Sequence, residues 1–192
     1  MKRIAFLVSG SGTNMENLIK RIKAGEIPAD PVIVISNKPG VGALEKAAAM
    51  GVKAVVIDHK AYADREAFDH ALSECLDSHK IDYVVLAGFM RVLTPDFVKK
   101  YQGRLINIHP ALLPAFPGAH AIKDAWDAKV KETGVTVHFV DSGVDTGPVI
   151  LQRKVPVLVN DTFETLEARI HQTEYELYPE ALNLVLSGKS IA

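Results

Sequence analysis

Residues 3–14 read Arg-Ile-Ala-Phe-Leu-Val-Ser-Gly-Ser-Gly-Thr-Asn, an apolar run that ends in a turn with glycine at positions 10 and 12. A short apolar run without polar alternation reads as a strand buried on both faces, the mark of a parallel sheet. The stretch that follows, Asn14–Ala24, spaces its apolar residues along one helical face. Strand, glycine turn and helix in that order open a βαβ unit. Two glycines let the backbone turn tightly and aim its N–H groups outward, and the helix N-terminus adds partial positive charge. Such a turn suits a phosphate, and a side chain at Gly12 would block the approach. The same turn would also serve strand–helix packing alone. Met15 stands where a dinucleotide fingerprint needs its third glycine, and Ser36-Asn37-Lys38 follows the second strand where a ribose-binding acid belongs. No Gly-Lys-Ser/Thr follows the turn either. A mononucleotide or sugar phosphate fits it better than NAD or ATP.

Outward from this unit the rhythm repeats. Val32–Ile35, Ala54–Ile57, Tyr83–Ala87 and Leu105–Ile108 read as further buried strands, with helical patterns at Gly42–Met50 and Asp64–His79 between them. The expected class is α/β, with a doubly wound, mainly parallel sheet. Val135–Val140 and Val149–Val157 are strand-like and separated by a short Gly/Asp loop, which predicts an antiparallel pair near the C-terminus. A final helix covers about Phe163–Leu186, with Pro179 as a point for a bend. The 192 residues suit one domain spanning 1–192.

Composition excludes several classes. The formal net charge is −1, with 48% hydrophobic and 23% charged residues, so no basic field argues for nucleic acid or an anionic membrane surface. The single Cys75 rules out an internal disulfide framework and fits a reducing compartment. No apolar run reaches the roughly 20 residues of a membrane-spanning helix. A cytoplasmic location is expected, with the N-terminal apolar run read as a strand and not a signal peptide.

Asn107-Ile108-His109-Pro110 closes the fifth strand. Side chains two apart on a strand share a face, so Asn107 and His109 project together, and Pro110 puts them at the carboxyl end, where open α/β sheets keep their ligand crevice. An amide donor beside an imidazole suits a developing oxyanion. Asp145, flanked by glycines in Asp141-Ser142-Gly143-Val144-Asp145-Thr146-Gly147, would favour the imidazolium if it lay near His109. It would equally serve as a turn residue, and Asp141 has a similar claim. His138 reads as core or as support behind the site, and His59, His70, His79 and His120 as surface or locally bonded residues. No His/Cys/carboxylate group has metal-ligand spacing, so no metal is expected.

Taken together, Ser9–Asn14, Leu86-Ala-Gly-Phe-Met-Arg-Val-Leu93, Asn107-Ile-His-Pro-Ala-Leu-Leu-Pro114 and Gly134–Ile150 resemble the glycinamide ribonucleotide formyltransferases, folate-dependent enzymes of purine synthesis. The resemblance runs nearly end to end and implies a Rossmann-like formyltransferase fold. Residues of about 1–100 would then form a phosphate-binding half, and 101–192 a catalytic and folate half. The implied reaction moves the formyl group of 10-formyltetrahydrofolate, a cosubstrate, to the amine of glycinamide ribonucleotide by direct attack. Asn107, His109 and Asp145 take the place of the family's catalytic trio. Gly12, Thr13 and Asn14 would bind the substrate phosphate and Glu174 its ribose hydroxyls. Met90, Arg91, Val92 and Leu93, with Asn107 and the loop Asp141, Ser142, Gly143, Val144 and Asp145, would enclose the folate, and Arg65 would meet its acidic tail. Ala111, Ser142 and Tyr175 depart from the residues frequent in the family at those places. Reduced folate and glycinamide ribonucleotide are the expected partners, with a homodimer left open. A methionyl-tRNA formyltransferase would carry a further C-terminal domain and a formyltetrahydrofolate hydrolase an N-terminal one; the chain's length leads us to expect neither. The hydrolase and a non-catalytic nucleotide-binding module remain the alternatives.

Overall fold

The computed structural model describes residues 1–189; residues 190–192, the end of the expected domain, lie outside the described residues. Five strands pair in parallel: β1 (Lys2–Val8), β2 (Ala29–Ser36), β3 (Lys53–Val56), β4 (Tyr83–Leu86) and β5 (Leu105–His109). β6 (Glu132–Phe139) and β7 (Val149–Pro156) form the antiparallel pair. The strand order is β3-β2-β1-β4-β5-β6-β7. The class expected from the sequence is the class observed. Two compact units divide between Ile106 and Asn107, inside β5.

In the first unit β1 is the spine. Ile4, Ala5, Phe6, Leu7 and Val8 are all fully buried, as a strand covered on both faces requires. The helices α1 (Thr13–Lys23) and α2 (Gly42–Ala49) pack on β2 and on each other. Met15, at the missing third glycine, is buried with Leu18 and Ile19. β2 begins three residues before its expected start, because its register against β1 shifts where Ile4 faces Pro31 and Ala5 faces Ile33. A proline is tolerated at such an irregularity. β1 has β2 on one side and β4 on the other, so the strand order reverses there. Open α/β sheets bind ligands outside the carboxyl ends of strands at that switch point.

α3 (Arg65–Ser78) is capped by Asp64, whose carboxylate accepts the Ala67 N–H at 2.8 Å. Two short helices escaped the sequence reading. In α4 (Pro95–Lys100) the Thr94 hydroxyl caps Phe97 N–H and Pro95 opens the first turn; α5 (Ala121–Asp127) has no side-chain cap. In the second unit α6 (Phe163–Leu186) packs on β6 and β7 and meets α5, where Trp126 and Phe163 stand edge to face at 6.3 Å. A reciprocal box between Thr162 and Thr165 starts α6, and the helix continues through Pro179.

Gly12 has a second constraint that the sequence did not reveal. It precedes α1 in the left-handed region at φ 72°, and a Cβ built there would stand 2.5 Å from the Cβ of Ala43. The turn is therefore closed against α2 by the absence of a side chain. Gly12→Ala should destabilise the fold by about 1–2 kcal/mol from backbone strain alone. Gly10 has nothing within 4 Å of its would-be Cβ, and Gly10→Ala should stay within about 0.5 kcal/mol of wild type. Denaturant unfolding of both variants checks this, and equal losses would contradict it.

Candidate active site

The glycine turn sits at the carboxyl end of β1. A cleft of about 230 Å³ is lined by Ser9–Asn14 with Ala87, Gly88 and Met90. No side chain caps the N-terminus of α1, and its dipole faces this cleft with the N–H groups of the first turn. Thr13 is exposed, Asn14 partly buried and Gly12 buried. Such an arrangement suits an anion.

The segment after β4 is pinned from several sides. The N–H of Met90 bonds the Ser9 hydroxyl at 2.8 Å, the Val92 carbonyl accepts from the Arg65 guanidinium at 3.0 Å, and the Thr94 N–H bonds Asp69 at 2.6 Å. The Arg91 guanidinium lies 5.2 Å over the Phe68 ring. Leu93 is buried, whereas Met90 is 70% and Val92 67% exposed. Two bare apolar side chains on a fixed backbone make a surface suited to a flat ring.

In the second unit the end of β5 presents Asn107 and His109 two residues apart. His109 is buried, and both ring nitrogens have partners. Nε2 lies 2.8 Å from the Phe116 carbonyl oxygen, and Nδ1 lies 3.5 Å from Asp145 Oδ2. A carbonyl only accepts, so Nε2 carries a proton. Asp145 is held in turn: Oδ2 accepts the Gly118 N–H at 2.9 Å, and the residue adopts φ 55°. Asp141 spends its Oδ1 on the Gly143 N–H at 2.9 Å and the Thr146 hydroxyl at 2.6 Å. The tertiary contact that sequence could not supply thus favours Asp145 over Asp141 beside His109. In the same loop Ser142, Gly143 and Val144 are exposed, and Gly147 is buried where a Cβ would strike the Phe139 carbonyl.

His138 joins this centre from β6. Its Nδ1 bonds the Phe139 carbonyl at 2.8 Å, and Nε2 stands 3.8 Å from Asp145 Oδ1 with no hydrogen bond. Burial pushes its pKa below the ordinary value, against the raising effects of the Phe139 carbonyl and the Asp145 carboxylate. The ring is neutral at pH 7, so the 3.8 Å contact is not an ion pair. Glu174 is buried on α6 with its Oε2 3.0 Å from Nδ1 of His171, and that carboxylate raises the His171 pKa. The i,i+3 spacing of His171 and Glu174 was the available sequence signal for this pair. The Phe116 carbonyl and Gly118 N–H left none, because every residue carries such groups. Among the described residues no group of three or more His, Cys, Asp or Glu is placed to hold a metal. No described helix is long and apolar enough to cross a membrane.

Fold and geometry define the class: an open α/β sheet with a glycine turn at its switch point and a histidine–carboxylate pair at a strand end. A family profile described as formyl transferase matches residues 2–182, and the chain belongs to that family. It is 48% identical over 192 residues to the trifunctional purine biosynthetic protein adenosine-3 of Drosophila melanogaster, covering 99% of this chain and 14% of that protein. The chain thus spans about one-seventh of that relative's length. It is 39% identical to the phosphoribosylglycinamide formyltransferase of Bacillus subtilis, across 97% of this chain and 95% of the other. A crystal structure of glycinamide ribonucleotide transformylase 1 from Symbiobacterium toebii superposes with a TM-score of 0.95 at 46% identity, covering 98% of this chain and 89% of that one.

The buried, neutral His138 makes stability depend on pH. Its folded pKa lies below its unfolded value of about 6.5. The unfolded chain therefore takes up the proton first, and stability present above that pH is lost as pH falls through it toward the folded pKa. Between pH 7.5 and 5.5 the melting temperature of wild type should fall more steeply than that of His138→Asn, which retains an N–H donor but does not titrate. Parallel curves would contradict a neutral His138.

Proposed function

We propose that this chain transfers the formyl group of 10-formyltetrahydrofolate to the amine of glycinamide ribonucleotide. Membership of the formyl transferase family and the names of full-length relatives support the substrates. The observation that carries the chemistry is His109 Nδ1 at 3.5 Å from Asp145 Oδ2, with Asn107 two residues earlier on the same strand.

On this reading the amine nitrogen attacks the formyl carbon, and negative charge grows on the formyl oxygen. Asn107 and protonated His109 donate to that oxygen, and each such donor is typically worth about 3 kcal/mol in the transition state. The Nε2–H of His109 is bonded to the Phe116 carbonyl in this structure, so donating through Nε2 exchanges one acceptor for another. Asp145 sustains the imidazolium through its contact with His109, and a water carries the proton from the attacking amine to the departing folate nitrogen. The bond from carbon to that nitrogen breaks as the new amide forms, and tetrahydrofolate leaves. Direct attack calls for neither an acyl-enzyme nor a metal. Gly12, Thr13 and Asn14 hold the phosphate at the α1 N-terminus, and Glu174 the ribose hydroxyls. For the folate, Met90–Leu93 of the first unit and Asp141–Asp145 of the second contact the pterin, with Arg65 at the acidic tail.

Incubation with 10-formyltetrahydrofolate, with and without glycinamide ribonucleotide, tests the reading. Deformylation should require the amine and yield the formylated ribonucleotide. Formate released without the amine would make the protein a hydrolase, and no deformylation would leave a binding module. Asn107→Ala and His109→Ala should each lower kcat by about 100-fold or more while KM for both substrates stays within a few-fold; losses confined to KM would count against an oxyanion role.

A further inference from the structure

Ser9 closes β1 and begins the glycine turn, but its hydroxyl serves another segment. Oγ accepts the N–H of Met90 at 2.8 Å and donates to Asn37 Oδ1 at 2.6 Å. Ser9 is 6% exposed and Asn37 1%. The single hydroxyl proton is committed to Asn37, which leaves a lone pair aimed at Met90. Asn37 is itself fixed at the end of β2: its N–H bonds the Val8 carbonyl at 3.4 Å, and its Nδ2 lies 3.2 Å from His59 Nδ1. Residues 28 and 81 positions apart in the chain thus meet at one oxygen.

The glycine turn does not lean on this hydroxyl. The Gly10 carbonyl accepts the Ala43 N–H at 3.1 Å, the Gly12 carbonyl accepts the Glu16 N–H at 2.8 Å, and Gly12 is closed against Ala43. The Met90 segment does lean on it. Its two other side-chain hydrogen bonds, Arg65 on Val92 and Asp69 on Thr94, both come from α3 and hold its far end. Only the Ser9 hydroxyl, among the side-chain bonds described, holds the Met90 end.

We propose that Ser9 and Asn37 are positioning residues for the formyl donor: the Ser9 hydroxyl fixes the Met90 backbone, and Asn37 fixes the hydroxyl. A residue that belongs by sequence to the phosphate turn belongs by chemistry to the other substrate. The inference rests on the reading that Met90–Leu93 enclose the pterin.

Ser9→Ala leaves a half-buried N–H without its acceptor, a loss expected to raise KM for 10-formyltetrahydrofolate about tenfold. KM for glycinamide ribonucleotide should stay within about twofold, because the turn's own bonds remain. Asn37→Ala, which frees the hydroxyl to rotate, should raise the folate KM in the same direction by about threefold. Amide exchange at Met90 reads the anchor without any reaction. That amide should be protected in wild type and exchange at least about tenfold faster in Ser9→Ala. Unchanged exchange overturns the anchor. Faster exchange with an unchanged folate KM overturns the proposal by removing the pterin contact beneath it. An amine KM that rises as much as the folate KM assigns the hydroxyl to the phosphate turn and overturns it as well. Wild-type protein that transfers no formyl group would sink the activity and leave the exchange result to judge the anchor alone.

Discussion

One carboxylate organises the centre of the second unit. Asp145 is 14% exposed at its side chain, and a charge so far removed from water must find partners. The Gly118 N–H gives it one neutral donor at 2.9 Å, and two imidazoles approach it, His109 at 3.5 Å and His138 at 3.8 Å. The two rings are not equivalent. His138 has spent its N–H on the Phe139 carbonyl, and burial keeps it uncharged. The carboxylate therefore stands beside one uncharged ring, His138, and closer to His109. The backbone bears part of the cost: Asp145 and Phe116 both sit at positive φ, 55° and 51°, to bring their oxygens to the histidine.

The sheet supplies the places where these contacts can form. Parallel strands carry their carboxyl ends to one side, so in the first unit the loops after β1 and β4 leave from the same edge of the sheet. β1 is buried from Ile4 to Val8 and cannot move there without disturbing every neighbour, which makes Ser9 and the glycine turn a rigid starting point. The glycine turn depends on one further detail, the close approach of Gly12 to Ala43. Rigid roots and short loops are what an acyl-transfer centre needs, since misplacement of a donor by an ångström forfeits much of its effect.

Much of this was legible in the sequence because it is periodic or punctuated. The buried run at Ile4–Val8, the glycine turn and the strand ending at His109-Pro110 predict the parallel sheet, and Met15, where a third glycine would stand, packs in the core. The histidine–carboxylate pair was only half legible. Asp141 and Asp145 look alike in a glycine-rich loop, and the difference lies in which one reaches across to His109. α4 and α5 were missed since six or seven residues are too few for a helical period to stand out, although Thr94-Pro95 held the signal for the first. The Phe116 carbonyl, the Gly118 N–H and the Ser9 hydroxyl bonded to Met90 had no local signature at all. They are single polar groups joined across chain separations of 7, 27 and 81 residues, and only the folded chain brings them together.

The central claim is that Asp145 acts on catalysis through His109 and through nothing else. The direct measurement is kcat for formyl transfer in His109→Ala, in Asp145→Asn and in the double variant. If the carboxylate works by sustaining the imidazole, its removal should cost less than about twofold once His109 is gone, because residues that act as a unit are not additive. A double variant whose loss equals the product of the two single losses would contradict the account and give Asp145 a separate role in the reaction.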